Sequence, residues 1–490
     1  MQDKFKIKEW VLNWDNFRKV YLFLSLVYFM PSSFDLEQYP LWICFFWGGL
    51  IIAIDFFTKR EMFKSKYWYL LVLMSLVYML SILINYEFQL IRGTYNWVYL
   101  VTTFFVIYPI DSKQSSTEVK KNMTQFNNVL IYTVLVAGLI SIIMFLFNIS
   151  FIIPSGDVHA RQGFFTSRLF GVYTSPNIGS IFGFLSIILS VLNNLIIREK
   201  WNKFTKLYIV NIIIQFFYFV LASSRGTELT IVVFSMLSLL FIVIPYLIQA
   251  YKSKIQVIVR TIVIFLSFFV VIFGFTSILK EGLSYVPGIV QQGLDIIGLN
   301  ETKQENGKPI KKEPVDKLTI EHSPEDAEVS SGRFTIWTAG LNVVKQFPLF
   351  GTADSYFYRD YIKHNTQIDE NKLSQLDINE LKRSHGNMHN VYVQTLVMSG
   401  IIGFIVIGSF LILHIKDNSF YLLSFKEITV DYQILAIMFF LVLSLFAEDM
   451  VESHIIFKVK DVVGIVFWYY LGLLQHFRNK DVFTDGVIKK

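Results

Sequence analysis

Cysteine is almost missing from this sequence. The only one, Cys44, lies inside an apolar run, so the chain can build neither an internal disulfide framework nor a cysteine metal cluster. Charge is also scarce. Only 17% of the 490 residues are Asp, Glu, Lys or Arg, while 53% are apolar. A soluble domain of this length needs far more polar surface. No internal repeat is present, and the two halves of the chain differ, whereas many transporter folds are built from repeats. The excess of six positive charges is therefore no signature of nucleic-acid binding. In a chain this apolar, its interest is in which loops hold it.

What the sequence has instead is long apolar runs. Twelve are read as spanning helices: 19–35, 39–57, 67–85, 93–110, 128–150, 176–197, 206–222, 226–249, 257–279, 389–414, 430–447 and 461–476. The first comes after a charged N-terminal stretch and is followed by no small-residue cleavage site, so it reads as a retained helix rather than a signal peptide. With both termini cytoplasmic, the short inner loops carry 25 Lys and Arg and the short outer loops carry 6. That bias sets the orientation. The expected organisation is nine spanning helices over 1–279, an extracytoplasmic loop over 280–388, three more spans over 389–476, and a cytoplasmic tail over 477–490. The fold class is all-α and polytopic. Within the loop, 300–330 is polar and Pro-containing and reads as a flexible insertion. Residues 333–347 read as an amphipathic helix with Phe334, Trp337, Leu341 and Val344 on its apolar stripe. A short helix is expected somewhere in 354–388.

Ionisable groups at the outer boundary are costly to keep beside lipid and are the informative set. In RLFGVYTSPNIGS (168–180), Arg168 and Asn177 flank a turn before a span. This is either a plain turn with Pro opening a helix or an anion site at an exposed helix start. In SSRGTE (223–228), Arg225 either snorkels to headgroups or grips a phosphate with its planar fork. In SGRFTIWTAG (331–340), Arg333 opens a helix against its dipole, which a bound anion there would resolve. In GNMHNVYV (386–393), His389 and Asn390 begin a span. His389 is either a structural hydrogen-bonder or a proton acceptor. His385 precedes it by four residues, but Gly386 interrupts the helix and no carboxylate follows at ligand spacing, so no metal is expected. Glu448, Asp449, Glu452 and His454 read as a solvated acidic loop, with orientation of a hydroxyl or binding of a cation as the other possibility. Arginines and an imidazole sharing one face suit a substrate with a pyrophosphate head and a lipid tail.

The run GRFTIWTAGLNVVKQFPLFGTADSYF (332–357), followed by HNVYVQTLVMSGIIG (389–403), resembles the hallmark region of the O-antigen ligase and polymerase superfamily. Its elements are an Arg and a Trp on an outer helix, a P-x-x-G turn at Pro348–Gly351, a His-Asn pair opening a span, and Gly400 and Gly403. FGVYTSPN and SSRG fit the same pattern. The resemblance implies glycan transfer from undecaprenyl pyrophosphate at the outer leaflet of the bacterial cytoplasmic membrane, without cofactor or metal. It implies Arg225 and Arg333 as pyrophosphate ligands, Arg168 as a further one, His389 as base, and Asn390, Trp337 and Asn177 in support. The implied partners are the lipid-linked donor and acceptor glycans, the bilayer, a flippase and a chain-length regulator, with no nucleic acid. Polymerisation of repeat units, ligation to another acceptor, lipid-linked glycan transport and a non-catalytic assembly role are the competing readings. The abundance of Lys, Ile, Asn and Phe hints at an AT-rich genome, and many such bacteria lack lipid A, which leans toward the polymerase. The 300–330 insertion and the 358–388 stretch depart from the family pattern.

Overall fold

Apolar runs of this length cannot leave backbone polar groups unpaired in lipid, so each closes its hydrogen bonds within a helix. The computed structural model describes residues 9–30, 38–155, 158–197, 203–296, 304–305, 308–309, 317–321, 332–354, 373–425, 427–458 and 460–479. A helix lies over every expected run: α1 Trp14–Tyr28, α2 Gln38–Phe57, α3 Trp68–Ile84, α4 Tyr86–Thr102, α5 Ser116–Leu146, α6 Pro176–Ile197, α7 Lys203–Ala222, α8 Arg225–Ala250 and α9 Lys254–Leu294. Two short helices follow, α10 Arg333–Gln346 and α11 Gln375–Arg383. The series closes with α12 Val391–Leu423, α13 Val430–Glu448 and α14 Val462–Asn479. Among the described residues, seven helices are long and apolar enough to cross a bilayer, and two shorter apolar helices join them. The fold is all-α and polytopic, as expected.

Hydrogen bonds between spans lock the bundle where apolar packing alone gives little selectivity against lipid. Asn127 donates to Asn193 at 2.8 Å and accepts from Tyr470 at 2.7 Å, tying α5 to α6 and α14. Asn211 of α7 donates to Ser186 and Ser190 of α6. Helices α8 and α9 lie at the edge: in each, only 6% of the most apolar stretch is buried.

The structure departs from expectation in three places. A three-stranded antiparallel sheet, β1 Phe151–Ser155, β2 Val158–Phe165 and β3 Arg168–Gly171, stands between α5 and α6, where only a turn was expected. Its second hairpin turns at Thr166 and Ser167, both left-handed, which matches the twist of the flanking strands. Second, α9 runs past the expected end at 279. Third, the stripe on α10 is rotated: Ile336, Ala339, Gly340, Val343 and Val344 are buried, while Phe334 and Leu341 point outward. Most of 300–330, and 355–372, lie outside the described residues. The short island 317–321 is pinned, with Ile320 buried in the core.

The Pro348–Gly351 turn has a mechanical part. Helix α12 breaks at Gly400, whose φ is 65°. The turn enters that break: Ile401 donates to the Pro348 carbonyl, and Thr352 and Ala353 donate to Val397 and Met398. A Cβ on Gly400 would meet the Leu349 carbonyl oxygen at 2.2 Å, and one on Gly351 would meet the Val397 carbonyl oxygen at 2.4 Å. Both glycines are required by close backbone approach and by positive φ.

Candidate functional site

Four of the signalled stretches lie at one end of the bundle, because antiparallel helices bring the ends of α7, α9 and α13 beside the starts of α6, α8 and α12. Asn390 caps α12: its side-chain oxygen accepts from the N–H groups of Tyr392 and Val393. Its side-chain nitrogen donates to the Met450 carbonyl at 2.8 Å, and its backbone N–H donates to Ser453 Oγ at 2.9 Å. Val391 donates to the Asp449 carbonyl. The start of α12 is thus stitched to the turn that follows α13. His389, one residue earlier, has a φ of 44°, a left-handed backbone that costs a non-glycine residue about 1 kcal/mol. Its N–H donates to Asn387 Oδ1. Trp337 of α10 donates to the Met388 carbonyl at 2.9 Å and braces the same segment.

The acidic cluster is not a solvated loop. Glu448, Asp449, Glu452 and His454 are all buried. The turn after α13 folds inward between helix ends, and Glu452 is met there by polar side chains supplied by other elements. Glu452 is central to this. One carboxylate oxygen lies 3.0 Å from His389 Nδ1, and the other accepts from Arg333 Nη2 at 3.0 Å. Burial raises the Glu452 pKa, but the His389 hydrogen bond and the charges of His389, His454 and Arg333 outweigh it and hold the carboxyl at about 2. Glu452 is therefore a carboxylate throughout the neutral range. His389 and Arg333 remain partly exposed, at 34% and 19%.

A second network supports the first. His454 places Nδ1 2.7 Å from Asp461 and Nε2 3.5 Å from Glu448. Burial lowers the His454 pKa, yet Asp461 and Glu448 prevail over it and over the Lys458 charge, and the imidazole is held above its usual range. Asp449 accepts the N–H groups of His454 and Ile455, which closes the turn. Glu448, Asp449 and His454 bring their ligand atoms within 4.8 Å of one another, a spacing that could hold a cation. The imidazole and Lys458, 3.3 Å from Asp461, already supply positive charge there.

Arg225 is the first residue of α8, after the N-cap Ser224. It is exposed and has no hydrogen bond or ion pair among the described residues. A Cβ on the next residue, Gly226, would lie 3.7 Å from Glu448 Oε1, so α8 begins against the turn that carries Glu452. Arg168 stands beside it. Its Nε donates to the Ala222 carbonyl at 2.9 Å and its Nη2 donates to Asn177 Oδ1 at 2.5 Å, joining β3, the α7–α8 turn and α6.

The structure thus puts His389 and Arg333 on one carboxylate, with Asn390 and Trp337 holding the segment. Arg225 belongs to the adjoining helix end, and Arg168 with Asn177 forms a third group around the Ala222 carbonyl. Sequence reading missed the place of Glu452. The signal was present in EDMVESH, a dense acidic stretch with one histidine directly after a span, but solvated and buried acids look alike in sequence.

Residues 210–408 match the family model described as O-antigen ligase. The matched stretch contains Arg225, Arg333 and His389. Arg168 and the Glu448–Asp461 turn lie outside it. No curated protein matches the chain.

Proposed function

We propose that this chain, which belongs to the O-antigen ligase and polymerase superfamily through residues 210–408, polymerises undecaprenyl-pyrophosphate-linked repeat units into a surface polysaccharide. The polymer is a capsule, an exopolysaccharide or an O-antigen, and the reaction takes place at the outer face of the cytoplasmic membrane. The observation that supports this most is a single buried carboxylate, Glu452, touching both His389 and Arg333 at 3.0 Å.

In this reading Glu452 accepts the Nδ1–H of neutral His389. That fixes the tautomer and leaves the Nε2 lone pair for the acceptor sugar. His389 Nε2 takes the proton of the attacking hydroxyl. The hydroxyl oxygen bonds to the anomeric carbon of the donor as the bond from that carbon to the diphosphate oxygen breaks, with inversion. Undecaprenyl diphosphate leaves with the bonding electrons, and Arg225 and Arg333 neutralise its growing charge. The Glu452 carboxylate stays against Nδ1, 3.0 Å away, while Nε2 takes the hydroxyl proton. Arg168 keeps the α7–α8 turn, and so Arg225, in register. Lipid-linked units reach this face through a flippase, and a chain-length regulator acts on the growing product.

Purified protein in nanodiscs with a lipid-linked repeat unit tests the proposal. Gel analysis should show a ladder of polymer, and His389→Ala should abolish it while the loaded lipid accumulates. A single transfer to an added acceptor, with no ladder, would make the chain a ligase. Unchanged polymer from His389→Ala would overturn the assignment of the base.

A further inference from the structure

Three charged side chains beside this site have no hydrogen bond or ion pair among the described residues: Arg225 and Glu228 on α8, and Lys280 on α9. Glu228 is one turn beyond the Ser224 cap and lies in the field of Lys280, Arg225 and Arg168. Lys280 feels Glu228, Arg168 and Glu321. The backbone closes the same ring independently. Arg168 is bonded to the Ala222 carbonyl, three residues before Arg225. The 276–284 part of α9 packs on α7. The pinned island completes the circuit: Leu318 donates to the Ser284 carbonyl at 2.9 Å and Glu321 donates to the Ser167 carbonyl at 3.1 Å. Lys317 pairs with Glu281 at 2.6 Å and anchors the island to α9.

Within this ring stand three cations, Arg168, Arg225 and Lys280, and two carboxylates, Glu228 and Glu321. Two of the cations, the exposed Arg225 and the half-buried Lys280, have no contact partner among the described residues. The lysine stands on α9, one of the two helices at the edge of the bundle, whose apolar residues Ile255, Ile262, Val270 and Ile278 face outward. A bound anion with an apolar tail would satisfy both features: its charge against the cations, its tail along α9.

We infer that Lys280 is a third cationic ligand of the lipid-borne diphosphate, joining Arg225 and Arg333 and acting with Arg225 on the phosphate nearest the lipid, and that Glu228 is the resident counter-ion whose place that phosphate takes. This rests on the function proposed above and adds to it a residue, a counter-ion and a direction of approach, laterally along α9. Lys280 and Glu228 lie on separate helices and make no ion pair with each other. The arriving diphosphate competes with one carboxylate for them.

The test is binding of undecaprenyl diphosphate, undecaprenyl monophosphate and inorganic diphosphate to the full chain in nanodiscs, with thermal unfolding as the folding control. Lys280→Met should weaken undecaprenyl diphosphate binding about tenfold, the loss of one charge-assisted contact. Lys280→Arg should restore most of it. Glu228→Gln should tighten undecaprenyl diphosphate a few-fold and the monophosphate by a similar factor. Inorganic diphosphate should bind far more weakly than the lipid. Binding by Lys280→Met within twofold of wild type, with Arg225→Ala impaired, overturns this inference and leaves the proposed transferase standing. Inorganic diphosphate binding as tightly as the lipid overturns the lateral approach. Wild-type protein that binds no undecaprenyl diphosphate overturns both. Should Lys280→Met fail to assemble, Glu228→Gln carries the test: unchanged or weaker binding of the lipid overturns the counter-ion role.

Discussion

The two ends of the helical bundle use the same side chains in opposite ways. At one end Arg18 is 1% exposed, pairs with Asp15 at 2.7 Å, donates to the Val106 and Pro109 carbonyls, and lies against the Trp14 and Tyr469 rings. His414 is fully buried, with Nε2 2.9 Å from the Tyr108 hydroxyl. Every strong donor of Arg18 is committed within the fold. At the other end Arg225 has no partner among the described residues, and Arg333 and His389 share one carboxylate while both stay open to solvent. A saturated guanidinium holds a bundle together. An unsaturated one beside an accessible imidazole retains capacity for a ligand.

The contrast is open to direct attack, and the largest effect should come from the proposed base, His389. His389→Ala should lower the rate of polymer formation on the order of 10²–10⁴-fold with little change in thermal unfolding, the usual cost of losing a general base. His414→Ala should show the reverse pattern, and equal rate losses for the two would erase the distinction. Next is Arg18→Met, which leaves Asp15 without its cation in a buried setting. It should destabilise the protein by about 3–5 kcal/mol by thermal or denaturant unfolding, with the activity of the folded fraction retained. Arg225→Lys should do the opposite, cutting transfer about tenfold or more at constant stability, because a point charge cannot replace the fork.

Glu452→Gln sharpens the comparison further, since it keeps the shape and removes the charge that orients His389. Transfer should fall about tenfold and its pH profile should move, whereas a merely structural glutamate would leave the profile in place. The smallest effect is on stability against pH. The Glu452 pKa in the fold is about 2, below the ordinary 4.5, so its stabilising contribution is present above pH 4.5 and is lost as pH falls toward 2. The unfolding midpoints of wild type and Glu452→Gln should therefore differ most above pH 4.5 and draw together below it.

Much of the fold is legible in the chain itself. A helix lies over each of the twelve apolar runs, and α10 is readable within a residue of its bounds, because hydropathy and helical period are local properties. The orientation of the α10 stripe is not legible. Phe334 and Leu341 are as apolar as Ile336 and Val343, and only the packing of α10 on α11 and α12 chooses which pair to bury. The sheet over 151–171 escapes for a related reason: its short strands border apolar helices, and its Thr166–Ser167 hairpin carries neither Gly nor Asn to announce a left-handed turn. The Pro348–Gly351 turn is visible as a motif, but its seat in the α12 break is not.

By itself the sequence determined that the backbone must be helical in an apolar layer and which residues could do chemistry at the boundary, since lipid penalises each misplaced polar group one residue at a time. Only the tertiary structure decided that Glu452 is a buried carboxylate between His389, 63 residues before it, and Arg333, 119 residues before it. Burial, counter-charge and contact across such separations belong to the assembled bundle, and no window of sequence contains them.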